Sequence, residues 1–168
     1  MATAPHDHAP ILSVALFRDW LTSRPNEEHW ELIAGVPMLK PPATLYQRRI
    51  TSNLDLLLNT ALEAHAPALM SFQRIGINIA AMPPYDPEPD LVVIERPDVD
   101  GRYFDRFFLV GEILSDEEQR VMESKRAIYQ AQPTCQCILL VRRDRVEVTV
   151  DQRSENAWQS RVLDTHLG

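Results

Sequence analysis

The sequence has few cysteines and no long hydrophobic segment, and both absences narrow the class of protein that it encodes. No stretch reaches 18 consecutive apolar residues, and the first dozen residues lack the charged and then apolar pattern of a secretory signal. We therefore expect a cytoplasmic protein that is neither exported nor held in a membrane. The two cysteines, Cys135 and Cys137, are separated by a single residue, a poor geometry for a disulfide, so reduced thiols are expected.

Several motifs that would identify other enzyme classes are also missing. There is no glycine-rich phosphate-binding loop and no Gly-x-Ser-x-Gly sequence, which argues against a P-loop nucleotide-binding protein and against an α/β-hydrolase. The two cysteines lack the second ligand pair of a zinc site. His6 and His8 have a spacing seen in metal sites, but they lie in a segment that we expect to be a flexible tail.

The length and the charge of the chain set two further expectations. The 168 residues fit a single domain over residues 1–168, with a flexible tail at residues 1–11. A net charge of -7 argues against nucleic-acid binding by bulk attraction, although a local basic groove remains compatible with it. The arginines that could form such a groove, or that are simply solvated surface charges, are Arg48, Arg49, Arg74, Arg142, Arg143 and Arg145.

The pattern of apolar residues predicts alternating helices and strands. Ser13 is a helix cap for VALFRDWL, and residues 30–40 form a hairpin that turns at Gly35. Apolar residues at helical spacing, including Leu57 and Ala61, predict a long helix from Leu45 to His65. The further predicted elements are a strand over residues 74–79, buried strands at DLVVIE and FFLVGEIL joined by a loop, a helix from Asp116 to Ala131, and strands at CQCILLV and VEVTV. This order indicates an α/β fold with a mixed β-sheet flanked by helices, preceded by an N-terminal helix and hairpin.

Charged residues stand at positions where this pattern predicts a core. Glu112 interrupts the apolar strand FFLVGEIL. In the following helix Val121, Met122, Ile128 and Tyr129 define an apolar stripe, and Lys125 falls on that stripe. A buried ammonium costs several kcal/mol unless its stem reaches solvent or it meets a carboxylate, so Lys125 and Glu112 are candidate partners.

Asp90 adds a second carboxylate to the same region. It stands at the start of DLVVIE, the strand expected to lie beside the strand of Glu112, because consecutive elements tend to be neighbours. Two carboxylates that are close together repel each other unless a cation or a proton lies between them, and oxygen pairs of this kind suit Mg²⁺. A lysine beside such a site could orient the attacking water and stabilise charge on a phosphate substrate.

Five short segments resemble a known family in order and spacing. HWELIAG, LYQRRITSNLDLLL, PEPDLVVI, LVGEILS and SKRAIYQ are similar to segments of the Uma-two family of restriction endonuclease homologues, which have the PD-(D/E)XK nuclease fold. The resemblance covers roughly residues 12 to 151. It implies a mixed sheet flanked by helices, Mg²⁺-dependent hydrolysis of phosphodiester bonds with Mn²⁺ as a substitute, and homodimers.

The resemblance also implies roles for individual residues. Asp90 matches the aspartate of the Pro-Asp motif and Glu112 matches the motif glutamate; both would bind the metal together with the backbone of Ile113. Position 114 is Leu114, where most nucleases of this fold have the lysine, and Lys125 on the following helix matches the lysine of this family. Glu31 matches a recurrent glutamate and is a further candidate, as is Tyr46, which stands where the family commonly has a histidine.

The leading hypothesis is therefore a Mg²⁺-dependent endonuclease that acts on nucleic acid, with DNA the favoured substrate. Asp90, Glu112 and Lys125 would be catalytic, and Arg48, Arg49 and Arg74 would bind the nucleic-acid backbone. One alternative is an inactive or weakly active nuclease fold that serves as a nucleic-acid-binding or protein-interaction module. Another is a metal-dependent phosphohydrolase of small molecules.

Overall fold

The structure, a computed structural model, describes residues 11–98, 100–115, 118–155 and 157–164. Its elements in chain order are α1 (Val14–Leu21), β1 (His29–Ile33), β2 (Val36–Lys40), α2 (Leu45–His65), β3 (Leu69–Gln73), β4 (Gly76–Ile77), β5 (Leu91–Glu95), β6 (Tyr103–Phe104), β7 (Leu109–Leu114), α3 (Gln119–Ala131), β8 (Cys137–Arg142), β9 (Glu147–Arg153) and β10 (Trp158–Asp164). This is the α/β architecture with a mixed sheet that the sequence predicts. No described helix has the length and apolar character needed to cross a membrane.

The main sheet has six strands in the order β10-β9-β8-β7-β5-β3. The pair β7 and β8 is parallel, and the other neighbouring strands are antiparallel. A parallel pair requires a crossover, and α3 provides it. Strand β7 lies inside the sheet, between β8 and β5. Its residues are buried on both faces, which explains why its sequence is almost continuously apolar.

The two faces of β7 pack against different helices. Val110 and Leu114 belong to a buried cluster with Met122 and Tyr129 of α3. Gly111 faces the other way, and the side chain of Leu54 on α2 lies 4.0 Å from the position that a Cβ at residue 111 would take. Glu112 has the same parity along the strand as Val110 and Leu114, so its carboxylate lies on the α3 side of the sheet.

The N-terminal elements form the predicted helix and hairpin. The Ser13 side chain accepts a hydrogen bond from the Leu16 N–H and caps α1. Strands β1 and β2 pair through a two-residue turn in which Ala34 and Gly35 both have positive φ, at 51° and 78°. Such a turn matches the twist of the strands that it joins and suits glycine.

The strand predicted over residues 74–79 is wrong in its extent. Arg74 has φ 54°, outside the extended region, and only Gly76 and Ile77 form a strand, β4, which pairs with β6 inside the predicted loop. Ile77 and Ile79 are nevertheless buried as the alternation indicates. The main-sheet strand in this region is β3, and neither it nor β10 is predicted by the sequence pattern.

The predicted apolar stripe of α2 needs correction, and two predicted segments lie partly or wholly outside the described residues. On α2 the predicted apolar stripe is too wide, because Leu57 and Ala61 are exposed while Ile50, Leu54 and Leu58 are half-buried. The predicted start of α3 at residue 116 and the tail at residues 1–10, with both histidines, lie outside the described residues. The cysteines are free thiols, and burial raises the pKa of Cys135 to about 12.

Candidate active site

The two carboxylates predicted from the buried strands face each other across a strand pair. Leu91 of β5 is opposite Gly111 of β7, and continuing this antiparallel register by one residue places Asp90 opposite Glu112. The backbone pairing of β5 with β7 does not extend to Asp90. Instead, the side chain of Asp90 binds the next strand, because its Oδ2 accepts a hydrogen bond from the Ile113 N–H at 2.8 Å. Both residues are buried, as expected for a site at the end of an inner strand pair.

Lys125 meets the carboxylate of Glu112, which answers why both charges lie in the core. Lys125 Nζ lies 2.6 Å from Glu112 Oε1, and the same oxygen accepts a hydrogen bond from the Tyr129 hydroxyl at 2.7 Å. Residues 125 and 129 are one helical turn apart and face the same direction from α3. Sequence reasoning assigned Tyr129 only to the apolar stripe and missed its contact with Glu112.

Glu31 is the third buried carboxylate of the site. Its Oε1 accepts hydrogen bonds from Lys125 Nζ at 2.8 Å and from the Glu88 N–H at 2.8 Å. The residue lies on β1 of the hairpin, so Lys125 joins the hairpin to the central sheet. The prediction that Glu31 is a further residue of the site stays a prediction as regards its role, but the structure places it there rather than on the surface.

Lys40 also belongs to this cluster, and the sequence analysis missed it. Its Nζ donates a hydrogen bond to the Glu88 carbonyl oxygen at 2.8 Å and lies 3.4 Å from Asp90 Oδ1. The signal for this residue was present in the predicted hairpin, because a two-residue turn at Gly35 places residues 31 and 40 on the same face of the ribbon.

The shifted pKa values follow from burial and from these ion pairs. Burial raises the pKa of the Glu112 carboxyl, and Lys125 and Lys40 counter only part of that rise. Burial acts in the same direction on Glu31, but there the two lysines bring the pKa below its ordinary value. Burial opposes the charge on Lys125, yet Glu112 and Glu31 raise its pKa above the ordinary value. Lys125 is therefore charged at neutral pH and cannot serve as a general base there.

The carboxylates open onto a cleft of about 100 Å³. Its wall includes Asp90, Glu112, Lys125 and the apolar side chains of the hairpin and α3, among them Met38, Leu39 and Met122. In the described part of the chain, both donors that reach Glu112 meet Oε1, which leaves Oε2 for another ligand. Counted as ionised groups, the three carboxylates and two ammonium groups of the cluster carry one net negative charge.

This donor set fits a hard divalent cation. Carboxylate oxygens on two facing residues are the ligands that Mg²⁺ and Mn²⁺ use, usually with several waters. Within the described ranges no group of three or more His, Cys, Asp or Glu side chains is arranged to hold a metal ion. A cation here would therefore depend on Asp90 and Glu112, with backbone and water oxygens completing its ligands.

A second cavity, of about 330 Å³, adjoins the cleft on the side of α2. It shares Lys40 and Asp90 with the cleft, and Arg48 and Arg74 also line it. Two of the three arginines predicted to bind nucleic acid are thus beside the carboxylates. Arg49 is exposed on α2 and is not part of either lining, and Arg142 lies at a different cavity next to β8 and β9.

Tyr46 does not line the cleft that contains the carboxylates. It is 79% exposed in the first turn of α2 and is not among the residues that line the cleft or the adjoining cavity. The suggested role of Tyr46 in the site therefore stays a prediction.

Comparison with known proteins agrees with this architecture. A family model named Uma2, with the description "Putative restriction endonuclease", matches residues 14–167. The fold is similar to the crystal structure of "a putative nuclease belonging to DUF820" from Anabaena variabilis, with a TM-score of 0.69 and 18% sequence identity, covering 88% of this chain and 83% of that chain. At this identity the likeness concerns the fold alone. No curated protein matches the chain.

Proposed function

The chain belongs to the Uma2 family of restriction endonuclease homologues, and from this membership we propose that it is a Mg²⁺-dependent endonuclease that hydrolyses phosphodiester bonds of DNA. One observation supports this proposal above the others. Asp90 and Glu112 are buried opposite each other at the end of a strand pair, with Lys125 Nζ 2.6 Å from Glu112. A cluster of this kind costs folding free energy, and a chain that only needed a stable core would have apolar residues here.

The residues of the cleft have separate roles in this proposal. Asp90 and Glu112 would hold the cation, which when bound supplies Lewis-acid polarisation of the scissile phosphate. In the reaction a water oxygen bonds to phosphorus and releases one proton to solvent, while the ester P–O bond breaks and the departing oxygen takes up one proton from solvent. Lys125, which stays charged, stabilises the negative charge that builds up on the phosphate oxygens. The fixed position of its ammonium between Glu31 and Glu112 means that little reorganisation is needed.

The basic residues beside the cleft would bind the phosphate backbone of the proposed nucleic-acid partner. Arg48 and Arg74 line the cavity next to Asp90, where the backbone on either side of the scissile phosphate would lie. These arginines give the cavity a local positive charge, although the chain as a whole carries a net charge of -7. The binding of nucleic acid is therefore expected to depend on this cavity and to weaken as salt increases.

A cleavage assay tests the proposal. We expect wild-type protein to cut plasmid or linear DNA in Mg²⁺ or Mn²⁺ and not in EDTA, and Asp90→Asn and Glu112→Gln to lose at least about 100-fold of that rate. Glu63→Gln is the matched control, since it removes an exposed carboxylate on α2 that does not line the cleft or the adjoining cavity. It should cut like the wild type.

Two results would contradict the proposal. Equal cleavage by wild type and both site variants would point to a contaminating nuclease. No cleavage of DNA or RNA by the wild type, combined with salt-dependent binding of DNA, would favour the alternative of an inactive nuclease fold that acts as a binding module.

A further inference from the structure

Both lysines of the sequence lie in this one cleft. The chain has 17 lysine and arginine residues, and only Lys40 and Lys125 among them are lysines. Each approaches Glu31 Oε1, Lys125 at 2.8 Å and Lys40 at 3.9 Å. An ammonium is a compact charge that fits between carboxylates, whereas a guanidinium needs a planar fork of acceptors. Lysine is therefore used where a cation has to fit among closely spaced carboxylates.

Lys40 has the contacts of a built-in counter-ion. It is the last residue of β2, its side chain is only 16% exposed, and its Nζ is fixed to the Glu88 carbonyl oxygen at 2.8 Å. From that position it lies 3.4 Å from Asp90 Oδ1. A lysine side chain is an ammonium at neutral pH, and the Nζ of Lys40 lies beside the carboxylates of both Glu31 and Asp90.

Lys40 approaches the same oxygen of Asp90 that a cation would need. The other oxygen, Oδ2, is committed to the Ile113 N–H at 2.8 Å. The ammonium lies beside Oδ1, so a cation held by this oxygen of Asp90 would meet the charge of Lys40. With both bound, the cluster of three carboxylates and two ammonium groups would change from one net negative to one net positive charge. Two positive charges a few ångströms apart in a buried site repel each other, which would weaken the binding of the cation.

We propose that Lys40 is a positioning residue that neutralises Asp90 and Glu31 in the cation-free protein and competes with the divalent cation for Asp90. This inference rests on the proposed function, because it assumes that Asp90 is a metal ligand. Lys40 keeps the buried carboxylates paired before the cation arrives and lowers the affinity of the site for it. If a bound cation displaced it from Asp90, the ammonium would still line the cavity that it shares with Arg48 and Arg74.

Mn²⁺ binding to Lys40→Met tests this inference directly. In calorimetric titrations with MnCl₂ at constant ionic strength, we expect Lys40→Met to bind Mn²⁺ about tenfold or more tightly than wild type, since a repulsion of about 1.4 kcal/mol is a factor of ten. In EDTA the same variant should melt below wild type, because Glu31 and Asp90 lose a cation, and saturating Mn²⁺ should narrow that difference. Neither readout depends on cleavage.

Three further proteins keep the result interpretable. Arg106→Met removes an exposed cation outside the cleft and should stay within about twofold of the wild-type affinity for Mn²⁺, which controls for net charge. Lys40→Gln removes the charge but can still donate to the Glu88 carbonyl, so it replaces Lys40→Met if that variant does not fold. Asp90→Asn should bind Mn²⁺ more weakly than wild type, which identifies the site being titrated.

The outcomes separate this inference from the proposed function. If wild type binds Mn²⁺ through Asp90 and both Lys40 variants bind it equally or more weakly, the inference is overturned and the proposed function stands. If neither the wild type nor the Lys40 variants bind Mn²⁺, the metal site of the proposed function fails and the competition fails with it. Tighter binding by both Lys40 variants and not by Arg106→Met supports the inference.

Discussion

At the scale of single residues, Glu112 shows how one oxygen can be held by two different groups. Lys125 brings a positive charge to Oε1, and Tyr129 brings a neutral hydroxyl to the same atom. The two contacts restrain the carboxylate in a similar way, but only Lys125 can stabilise charge on a bound phosphate. Their removal should therefore have different consequences for stability and for catalysis.

We predict that Lys125→Met lowers cleavage by about 100-fold or more, because a preorganised cation near the developing charge is lost. It should also destabilise the protein by about 3 to 5 kcal/mol, since Glu31 and Glu112 remain buried without their shared partner. Tyr129→Phe is the matched variant: it should cost roughly 1 to 3 kcal/mol of stability and keep cleavage within about tenfold of wild type.

Denaturant unfolding and cleavage measured on the same preparations distinguish these effects. Circular dichroism gives the folded fraction, so that rates refer to folded molecules only. If Tyr129→Phe and Lys125→Met lost cleavage equally, Lys125 would act by restraining Glu112 and not through charge on the substrate.

The sequence was informative about residues whose type conflicts with their position. A lysine on the apolar stripe of α3 and a glutamate inside β7 were both recognisable, and the structure pairs them. Lys40 gave no such conflict, because it ends a strand next to Pro41 and Pro42, where a lysine is ordinary. The sequence also gave no sign of the contact made by Tyr129, since a tyrosine on the apolar stripe of a helix fits a core whether or not its hydroxyl has a partner.

At the scale of elements, α3 is attached to three different parts of the molecule by neighbouring side chains. Lys125 reaches the hairpin, Tyr129 reaches β7, and Arg126 forms a two-pronged ion pair with Asp151 of β9, with both N–O distances at 2.5 Å. Asp151 is fully buried, whereas Arg126 is about one-third exposed. The ion pair to β9 fixes the helix that places Lys125.

We predict that Asp151→Asn destabilises the protein by roughly 1 to 3 kcal/mol, less than for a fully buried pair because Arg126 is partly solvated. Amide hydrogen exchange should rise in α3 more than in α2. Glu147→Gln serves as the control, because Glu147 lies on the same strand as Asp151 and its exposed ion pair with Arg145 should contribute less than about 1 kcal/mol to stability. Comparable losses in the two variants would contradict an anchoring role for Asp151.

Elements with a clear period were predictable, and those that depend on distant partners were not. The bounds of α2 follow from its apolar spacing and its Thr44 cap, and they match the prediction residue for residue. Strand β3 contains the buried Ser71, whose hydroxyl donates to the Asp55 carboxylate and whose N–H donates to Asn59 Oδ1 on α2. A polar residue that is satisfied by another element looks like a surface residue in sequence, so the strand was missed.

At the scale of the whole molecule, the sheet ends at β10, whose outer residues include Val162, 54% exposed, and Leu163. An outer strand with apolar side chains is a template for pairing with another chain. The predicted homodimer would cover this edge by joining two copies through their β10 strands, in a symmetric interface.

We predict a dimer mass for the wild type at micromolar concentrations, measured by light scattering after size exclusion. Val162→Lys should shift the protein towards the monomer, because a charge on an edge strand disfavours pairing with a second copy. Gln159→Lys is the matched variant, because it places the same charge on β10 at a position that is already polar. A monomeric wild type would refute the dimer, and a dimer unaffected by Val162→Lys would place the contact elsewhere.

The scarcity of lysine has a practical consequence for spectroscopy. Because the sequence holds only Lys40 and Lys125, protein grown with isotopically labelled lysine has two side-chain ammonium signals, and both come from the cleft. The other basic side chains are arginines and histidines, and they give no signal in such an experiment. The chain thus contains two native reporters that can follow cation or DNA binding without a single substitution, one on the hairpin and one on the crossover helix.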